Sequence, residues 1–281
     1  MIPVYTTIED FEACHTTMRS AGSSIAFVPT LGALHRGHLA LMQLAQTIAD
    51  RVVVSIFVNP KQFNEPADLA KYPRPLQQDI HLLNQQGIDV LFLPNSHVIY
   101  PPDQKVGVDI DLSHLTTHLE GKHRPGHFDG VITVVHRLID IIKPDFLVMG
   151  QKDFQQMTII RAMINVLRLP VELIAHPTVR EPDGLALSSR NARLTKEARK
   201  KANQIYRLLL QARDLKDRFT PRQVVTRCIS DLDTTVFQLD YFDIVDIHTL
   251  RPISEWQDDD ENLICVAAWL GNVRLIDNLV I

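Results

Sequence analysis

Short apolar runs and apolar residues at helical spacing follow one another along the first part of the chain. Apolar runs at 25–28, 51–58 and 88–93 predict strands, and the second of these is too uniformly apolar to have one face in water. Between the runs, apolar residues recur at helical spacing over 39–48 and 76–86. The order strand–helix–strand–helix–strand predicts a doubly wound parallel sheet with right-handed crossovers.

The same order continues further along the chain. A strongly apolar helix over 131–142 is followed by strands at 146–150 and 171–175, with a helix that opens at Lys152 between them. The stretch 94–128 is less regular, and a loop of this length in a compact domain is usually functional or disordered.

The pattern changes near residue 178. Helices are predicted over 195–216 and 221–232, and the last two predicted strands flank a Gly-Asn pair at 271–272 that is typical of a tight hairpin turn. Helices followed by antiparallel strands predict a smaller α+β domain. We therefore expect two domains, a catalytic domain at 1–177 and a smaller C-terminal domain at 178–281.

Charge and cysteine content narrow the class of protein. The chain has 29 basic and 33 acidic residues, a formal net charge of −4, which gives no general attraction to nucleic acid or anionic membranes. Its three cysteines lie far apart without a C-x-x-C pair, so we expect reduced thiols. No membrane span and no signal peptide are apparent. These features predict a soluble cytoplasmic enzyme or binding protein.

No metal site made of protein side chains is predicted. His123 and His127 have no third ligand at metal spacing. The acidic run at 258–261 is typical of a solvated turn. Asp68 and Asp79 could reach Mg²⁺ through water, but phosphates normally supply most of its ligands.

The segment from Thr30 to His38 carries the strongest chemical signal. A strand leads into a glycine-containing turn that opens a helix, and the first turn of a helix favours phosphate. His35 and His38 are three residues apart and would share one face, while Gly37 allows close backbone approach. This His-x-Gly-His pattern is typical of nucleotidylyl transferases, which attack the α-phosphate of ATP. The alternative is a helix cap with two solvated or hydrogen-bonded histidines.

Polar segments also follow other predicted strands, at 59–62 and 150–153, and ligands bind at the carboxyl ends of open parallel sheets. Lys152 at a helix start makes sense if it shares a phosphate with backbone amides; the alternative is a surface lysine paired with Asp153.

Other polar side chains fit the same chemistry less specifically. Ser188, Ser189 and Arg190 can clamp a triphosphate, although a capping serine pair with a surface arginine is equally compatible. Gln62 and Gln156 are neutral amides that suit a hydroxyl or carboxylate of an acyl acceptor, but most glutamines are simply solvated.

Six segments together closely resemble the pantothenate synthetase family, whose members are also called pantoate–β-alanine ligases. The resemblance spans nearly the whole chain in the expected order. The segments are Val-Pro-Thr-Leu-Gly-Ala-Leu-His-Arg-Gly-His (28–38), Val-Ser-Ile-Phe-Val-Asn-Pro-Lys-Gln-Phe (54–63), Leu-Glu-Gly-Lys-His-Arg-Pro-Gly-His-Phe-Asp-Gly-Val (119–131), Gly-Gln-Lys-Asp-Phe-Gln-Gln (150–156), Asp-Gly-Leu-Ala-Leu-Ser-Ser-Arg-Asn (183–191) and Ala-Ala-Trp-Leu-Gly (267–271).

The resemblance implies a Rossmann-like N-terminal domain, a smaller C-terminal domain that acts as a lid, and a cytoplasmic homodimer. It implies condensation of (R)-pantoate with β-alanine, driven by conversion of ATP to AMP and pyrophosphate, with an enclosed pantoyl adenylate. Mg²⁺ would be bound mainly through the ATP phosphates.

The family's site residues map onto matching positions of this chain. His38 corresponds to the proton-donating histidine, Gln62 to the glutamine that contacts both pantoate and β-alanine, and Gln156 to a second pantoate glutamine. The charge-stabilising set is expected to be His35, His38, Lys152 and Arg190. ATP contacts are expected at Leu31, Gly32, Ala33, Leu34, His35, Arg36, Gly37, His38, Gly150, Gln151, Lys152, Asp153, Val179, Leu187, Ser188, Ser189 and Arg190.

Three positions depart from the family pattern. Leu31 replaces the usual Met at similar volume, Pro75 replaces a capping Thr, and Gln151 replaces a common Glu. Two other classes stay open: a nucleotidylyltransferase that joins AMP to a phosphate-bearing substrate, and a protein that binds ATP without turnover.

Overall fold

A computed structural model of the chain describes residues 1–258 and 261–281. Asp259 and Asp260 of the acidic run lie outside the described residues. The described chain divides into two compact units. The first unit comprises Met1–Leu112, Arg124–Gln151 and Ile159–Pro177, and the second comprises Ser113–His123, Lys152–Thr158 and Thr178–Ile281.

A six-stranded parallel sheet lies in the first unit. Its strands are β1 (Val4–Tyr5), β2 (Ile25–Thr30), β3 (Arg51–Ile56), β4 (Val90–Phe92), β5 (Phe146–Gly150) and β6 (Glu172–His176). They lie in the order β1-β4-β3-β2-β5-β6, with every neighbouring pair parallel. The doubly wound sheet is therefore confirmed. The sequence pattern missed β1, which is two residues long.

Helices cover both faces of this sheet. On one face, Met42 and Leu83 are fully buried in a cluster with Val28 and Val54. On the other face, the ring of Phe11 lies 5.2 Å from that of Phe92. The helices as far as residue 167 are α1 (Ile8–Ser20), α2 (Arg36–Ile48), α3 (Pro66–Lys71), α4 (Leu76–Gln86), α5 (Ser96–Ile99), α6 (Ser113–Thr116), α7 (Leu119–His123), α8 (His127–Ile142) and α9 (Phe154–Leu167).

The second unit contains an antiparallel sheet of β7 (Phe237–Asp246), β8 (Asn262–Leu270) and β9 (Val273–Val280), in that spatial order. The helices α10 (Lys196–Lys201), α11 (Gln204–Leu215) and α12 (Pro221–Ser230) precede it, and α11 and α12 pack their buried residues against it. The predicted hairpin is confirmed, because Leu270 pairs with Val273 across Gly271 and Asn272.

The single helix predicted over 195–216 is wrong. The chain forms α10 and α11 there, with a break at Ala202 and Asn203. Most residues of α10 are charged and none is buried, whereas α11 buries Ile205, Leu208, Leu209 and Ala212. Within α10 only Ala198 packs against the core of the second unit, so α10 has little apolar surface to continue the stripe of α11.

Some predicted boundaries also shift. The helix predicted to open at Lys152 begins at Phe154, after a 3-10 turn over Gln151–Asp153. The helix predicted from Val131 begins four residues earlier, at His127. Within the described chain, no helix is long and apolar enough to cross a lipid bilayer.

Candidate active site

The turn between β2 and α2 places two histidines at a helix start. His35 is the N-cap of α2, and its Nδ1 accepts the N–H of Gly37 at 3.1 Å. His38 Nδ1 accepts the N–H of His35 at 3.3 Å. An Nδ1 that accepts a backbone N–H carries no proton, so both rings carry their proton on Nε2. The rings are stacked with centroids 4.0 Å apart, and each carries its N–H group at Nε2.

This geometry combines the two interpretations that the sequence left open. His35 does cap the helix, and its Nδ1 accepts the N–H of Gly37. The same hydrogen bonds that complete the cap also fix the ring orientation and the tautomer. Capping and ligand binding through Nε2–H are thus compatible in one side chain.

A buried carboxylate holds the turn that precedes the histidines. Asp79 of α4 is 1% exposed, and its two oxygens accept the N–H groups of Ala33 at 2.9 Å and Leu34 at 2.8 Å. Gly32 and Ala33 both have positive φ, 79° and 50°, which is unfavourable for alanine. Burial raises the pKa of the Asp79 carboxyl, and the two amide hydrogen bonds oppose that rise. Asp79 therefore fixes a strained loop.

The strand order brings three predicted segments to one edge of the sheet. β2 lies between β3 and β5, so its carboxyl end is flanked by the ends of both. The loop 31–35 follows β2, residues 59–62 follow β3, and Gly150 ends β5. Chain connections leave this edge in opposite directions on the two sides of β2, which is where open α/β sheets bind ligands.

Gln62 in the loop after β3 has an ordered set of partners. The Asn59 side chain donates from Nδ2 to Gln62 Oε1 at 3.2 Å and to the Gly130 carbonyl at 3.0 Å. Asn59 Oδ1 accepts the N–H of Lys61 at 3.2 Å and the hydroxyl of Tyr100 at 2.8 Å. Burial raises the pKa of the Tyr100 phenol, so its hydroxyl keeps the proton that it donates.

The main chain of the same loop is held by residues just before and at the start of α8. The Gln62 carbonyl accepts hydrogen bonds from His127 Nδ1 at 2.8 Å and from Arg124 at 3.1 Å. A Cβ at Gly130 would lie 2.3 Å from the Lys61 carbonyl, so the close approach of α8 requires glycine there. His127, unassigned by the sequence analysis, thus positions a candidate site residue.

In the second unit, β9 contacts segments that carry the other residues predicted to bind ATP. Asn278 Nδ2 donates to the Lys152 carbonyl at 2.8 Å. Asp277 pairs with both terminal nitrogens of Arg180, at 2.5 and 2.9 Å, which anchors the segment that contains Val179. Leu187 donates its N–H to the Val179 carbonyl at 3.0 Å. The 3-10 turn over Ser189–Arg193 also contacts β9.

The structure contains both of the alternative interactions considered for these residues, an ion pair of Lys152 with Asp153 and a serine cap at Ser188. Lys152 Nζ lies 3.6 Å from Asp153 Oδ1, and the lysine side chain is 20% exposed. The Ser188 side chain caps the following turn by accepting the N–H of Arg190 at 3.2 Å. The Ser188 Oγ accepts this hydrogen bond through a lone pair, so its hydroxyl proton can still be donated to a phosphate. Capping and phosphate binding are therefore compatible.

The predicted site residues are distributed over both units. Gln156 of α9 is half-buried, and Leu34 and Leu187 are buried. The first unit holds Leu31, Gly32, Ala33, Leu34, His35, Arg36, Gly37, His38, Gln62, Gly150 and Gln151, and the second holds Lys152, Asp153, Gln156, Val179, Leu187, Ser188, Ser189 and Arg190.

The sequence does not reveal the supporting roles of Asn59, Asp79, Tyr100 and His127. Asp79 is 45 residues from Leu34 in the chain, and Tyr100 is 41 from Asn59. No local spacing could join them. Asn59 lies within the polar segment 59–62, and a polar residue at the end of a buried strand is the available signal.

Comparison with known sequences identifies close relatives. A family model described as pantoate-beta-alanine ligase matches residues 3–280. The chain is 43% identical over 279 residues to a pantothenate synthetase of Porphyromonas gingivalis, with 98% of each chain covered. It is 45% identical over 268 residues to one from Coprothermobacter proteolyticus, which covers 94% of this chain and 93% of the relative.

Solved structures agree with the sequence comparisons. A pantothenate synthetase of Thermus thermophilus superposes with a TM-score of 0.91 at 40% identity, and 99% of each chain is covered. A pantoate-beta-alanine ligase of Francisella tularensis, complexed with beta-gamma ATP and beta-alanine, superposes with a TM-score of 0.81 at 38% identity. That superposition covers 100% of this chain and 98% of the other.

Proposed function

Because this chain belongs to the pantoate–β-alanine ligase family, we propose that its candidate active site performs the family's reaction, the ATP-dependent condensation of pantoate with β-alanine. The product is pantothenate, which places the enzyme in pantothenate biosynthesis. The observation that carries the proposal is the pair of imidazoles, both with Nε2–H donors, at the N-terminus of α2 on the ligand-binding edge of the sheet.

In the first step, the pantoate carboxylate attacks the α-phosphorus of ATP and pyrophosphate leaves. Negative charge grows on the phosphate oxygens, and the Nε2–H groups of His35 and His38 supply neutral donors for it. Lys152 and Arg190 are cations suited to the departing pyrophosphate. Gln62 and Gln156 hold the acid without adding charge.

In the second step, the free amine of β-alanine attacks the acyl carbon of pantoyl adenylate. The carbon–nitrogen bond forms as the carbon–oxygen bond to AMP breaks. AMP leaves with the bonding electron pair, and the proton lost by the amine is released to solvent with the products. The mixed anhydride hydrolyses when wet, so the intermediate is held away from water. Gln62 contacts β-alanine in this step.

Mg²⁺ is expected as a companion of ATP. The described residues contain no group of three or more His, Cys, Asp or Glu side chains that could hold a metal ion. Both oxygens of Asp79 accept backbone amides, so this carboxylate is already engaged. We propose that the phosphates of ATP supply most of the Mg²⁺ ligands.

The family assignment also motivates a cytoplasmic homodimer as the working form. The balanced composition supports small molecules as the partners, namely ATP, pantoate and β-alanine, and neither nucleic acid nor membrane. Gel filtration with light scattering measures the oligomeric state, and a monomer at micromolar concentration would contradict the proposed homodimer.

The test is to mix the protein with ATP, Mg²⁺, pantoate and β-alanine and to follow AMP and the amide together. Equal amounts of both are expected. Without β-alanine, pyrophosphate and enzyme-bound pantoyl adenylate should appear. An ester of AMP without amide would indicate the plain nucleotidylyltransferase, and ATP binding without pyrophosphate would indicate the binding protein.

His38→Ala removes one Nε2–H donor from the transition state. We expect kcat to fall by about 10²–10⁴-fold, as for the loss of an oxyanion or proton-transfer group. The matched control is His248→Ala, because His248 is exposed in the second unit. Near-normal turnover by the His38 variant would remove this residue from the mechanism.

A further inference from the structure

Building on the proposed function, we propose that a hydrogen-bond relay from Tyr100 through Asn59 orients Gln62, so that Gln62 meets pantoate with its Nε2–H₂ group and not with its carbonyl oxygen. Tyr100 is then a positioning residue, distant from Gln62 in the chain, and Gln62 is a donor selective for the oxygens of an acid.

Two backbone groups decide the orientation of Asn59. Its Oδ1 faces the N–H of Lys61, and its Nδ2 faces the carbonyl of Gly130. If the amide were rotated to exchange Oδ1 and Nδ2, its N–H₂ group would face the N–H donor of Lys61. Its oxygen would then face the carbonyl acceptor of Gly130. Asn59 is 0% exposed, so water could not relieve either conflict. The side chain therefore has one orientation.

The orientation of Asn59 then dictates those of Tyr100 and Gln62. Oδ1 of Asn59 can only accept, so the Tyr100 hydroxyl donates to it, at 2.8 Å the shortest bond of the set. The second hydrogen on Nδ2 points to Gln62, which must present Oε1 to receive it. The Nε2–H₂ group of Gln62 therefore faces the other side of its amide.

Neighbouring side chains hold the two ends of this relay, the Tyr100 ring and the Gln62 main chain, in place. Lys61 Nζ lies 4.0 Å from the centroid of the Tyr100 ring, and Phe57 packs against the same ring at 6.3 Å. The Gln62 carbonyl is held by Arg124 and His127. Both the main chain and one end of the side-chain amide of Gln62 are thus fixed before substrate arrives.

A fixed, neutral donor has consequences for the choice of substrate. An N–H₂ group pairs with carboxylate and hydroxyl oxygens but opposes an ammonium group, which has only donors. Because it is uncharged, it orients the attacking carboxylate without the strong charge pairing that would lower its reactivity. Gln62 would accordingly contact β-alanine through its carboxylate, which leaves the amine directed to the acyl carbon.

The first test uses ¹⁵N-labelled full-length protein, pantoate and no ATP. Titration with pantoate should move the Gln62 Nε2 proton resonances downfield, as expected for donation to a carboxylate. Unmoved resonances at saturating pantoate would overturn the donor role. In the protein without substrate, Tyr100→Phe should shift the Asn59 side-chain amide, whereas Tyr5→Phe should not. Equal spectra for both variants would overturn the relay.

Kinetics supply a second test. Tyr100→Phe keeps the ring and its packing, so we expect KM for pantoate to rise about 3–10-fold while KM for ATP stays within about twofold. Tyr5→Phe, the control, should match the parent enzyme. A role for Tyr100 in stability alone would lower the unfolding midpoint and leave the ratio of the two KM values unchanged, which would overturn the proposal.

A second variant keeps the test decisive if Tyr100→Phe folds poorly. Gln62→Glu retains an acceptor toward Asn59 but replaces the outward donor with a second acceptor. KM for pantoate should rise by more than about 10-fold with KM for ATP unaffected; an unchanged KM for pantoate would refute the donor assignment. Absence of amide formation by the parent enzyme would instead refute the proposed function, while the substrate-free spectra still test the relay.

Discussion

At the scale of single residues, backbone donors decide the chemistry of the two histidines. The spacing of His35 and His38 predicts a shared helix face, and the stacked rings agree with it. The proton position depends on two N–H groups, those of Gly37 and His35, whose directions the turn sets. Residue identity supplies the imidazoles, but the local backbone selects their donor atoms.

Asp79 links this turn to a distant helix, and Asp79→Asn tests the link. An amide has one acceptor oxygen where the carboxylate has two, so one of the two loop N–H groups loses its partner. We expect the free energy of unfolding to fall by about 1–3 kcal/mol and KM for ATP to rise as the loop relaxes. Urea denaturation and steady-state kinetics measure the two effects.

The control for this substitution is Asp140→Asn. Asp140 lies on α8 with a side chain that is 60% exposed, so the same chemical change there should cost little. Equal behaviour of the two variants would show that Asp79 does not hold the loop.

At the scale of elements, a buried charge network anchors α7 to the sheet of the second unit. Arg274 on β9 donates to both oxygens of Glu120, at 2.7 and 2.8 Å, and to Asp240 at 2.7 Å. The Tyr241 hydroxyl donates to Glu120 at 2.8 Å, and burial raises the pKa of this phenol. Gln155 adds hydrogen bonds to the backbone around α6 and α7. Segment 113–123 is therefore held by polar groups.

Glu120→Ala would leave the Arg274 guanidinium with a single carboxylate partner in a buried position. We expect the free energy of unfolding to fall by about 1–3 kcal/mol, because Arg274 loses two buried hydrogen bonds while Asp240 still balances its charge. Guanidinium or urea denaturation followed by circular dichroism gives the value.

Asp214→Ala is the matched control, since Asp214 pairs with Arg213 but is 64% exposed. Its effect should stay within about 1 kcal/mol. A Glu120 variant as stable as this control would mean that the network contributes little to holding α7.

At the scale of the whole molecule, each unit has its own apolar core. One cluster joins the parallel sheet to α2 and α4, and another joins the antiparallel sheet to α11 and α12. All three cysteines are free thiols, and two of them, Cys228 and Cys265, are buried. Burial raises the pKa of Cys228 to about 12 and also raises that of Cys265, so neither forms thiolate near neutral pH.

Thiol titration checks this arrangement in the intact protein. In native protein, Cys14 is half-buried and should react with a chromogenic disulfide, whereas the other two thiols should react only after unfolding. All three should react in denaturant. Rapid reaction of three thiols under native conditions would contradict the described packing of the second unit, and a dithiol reductant should leave the unfolding midpoint unchanged.

The sequence predicts five of the six parallel strands in their chain order, together with most of the longer helices, because apolar periodicity reports which faces of an element are buried. The sequence also identifies the family, which the comparisons show, and it places His35, Gly37 and His38 in one short segment. Boundaries were less accurate: the break at Ala202 depends on which helix face meets the second core.

Tertiary structure alone decided the supporting groups of the site. Asp79 reaches a turn 45 residues away, and Tyr100 reaches Asn59 across 41 residues. Such pairings form only when the sheet places β2, β3 and their loops side by side, and no local pattern encodes them. Side-chain type therefore fixes what chemistry is possible, while folding fixes which atom of each group is presented.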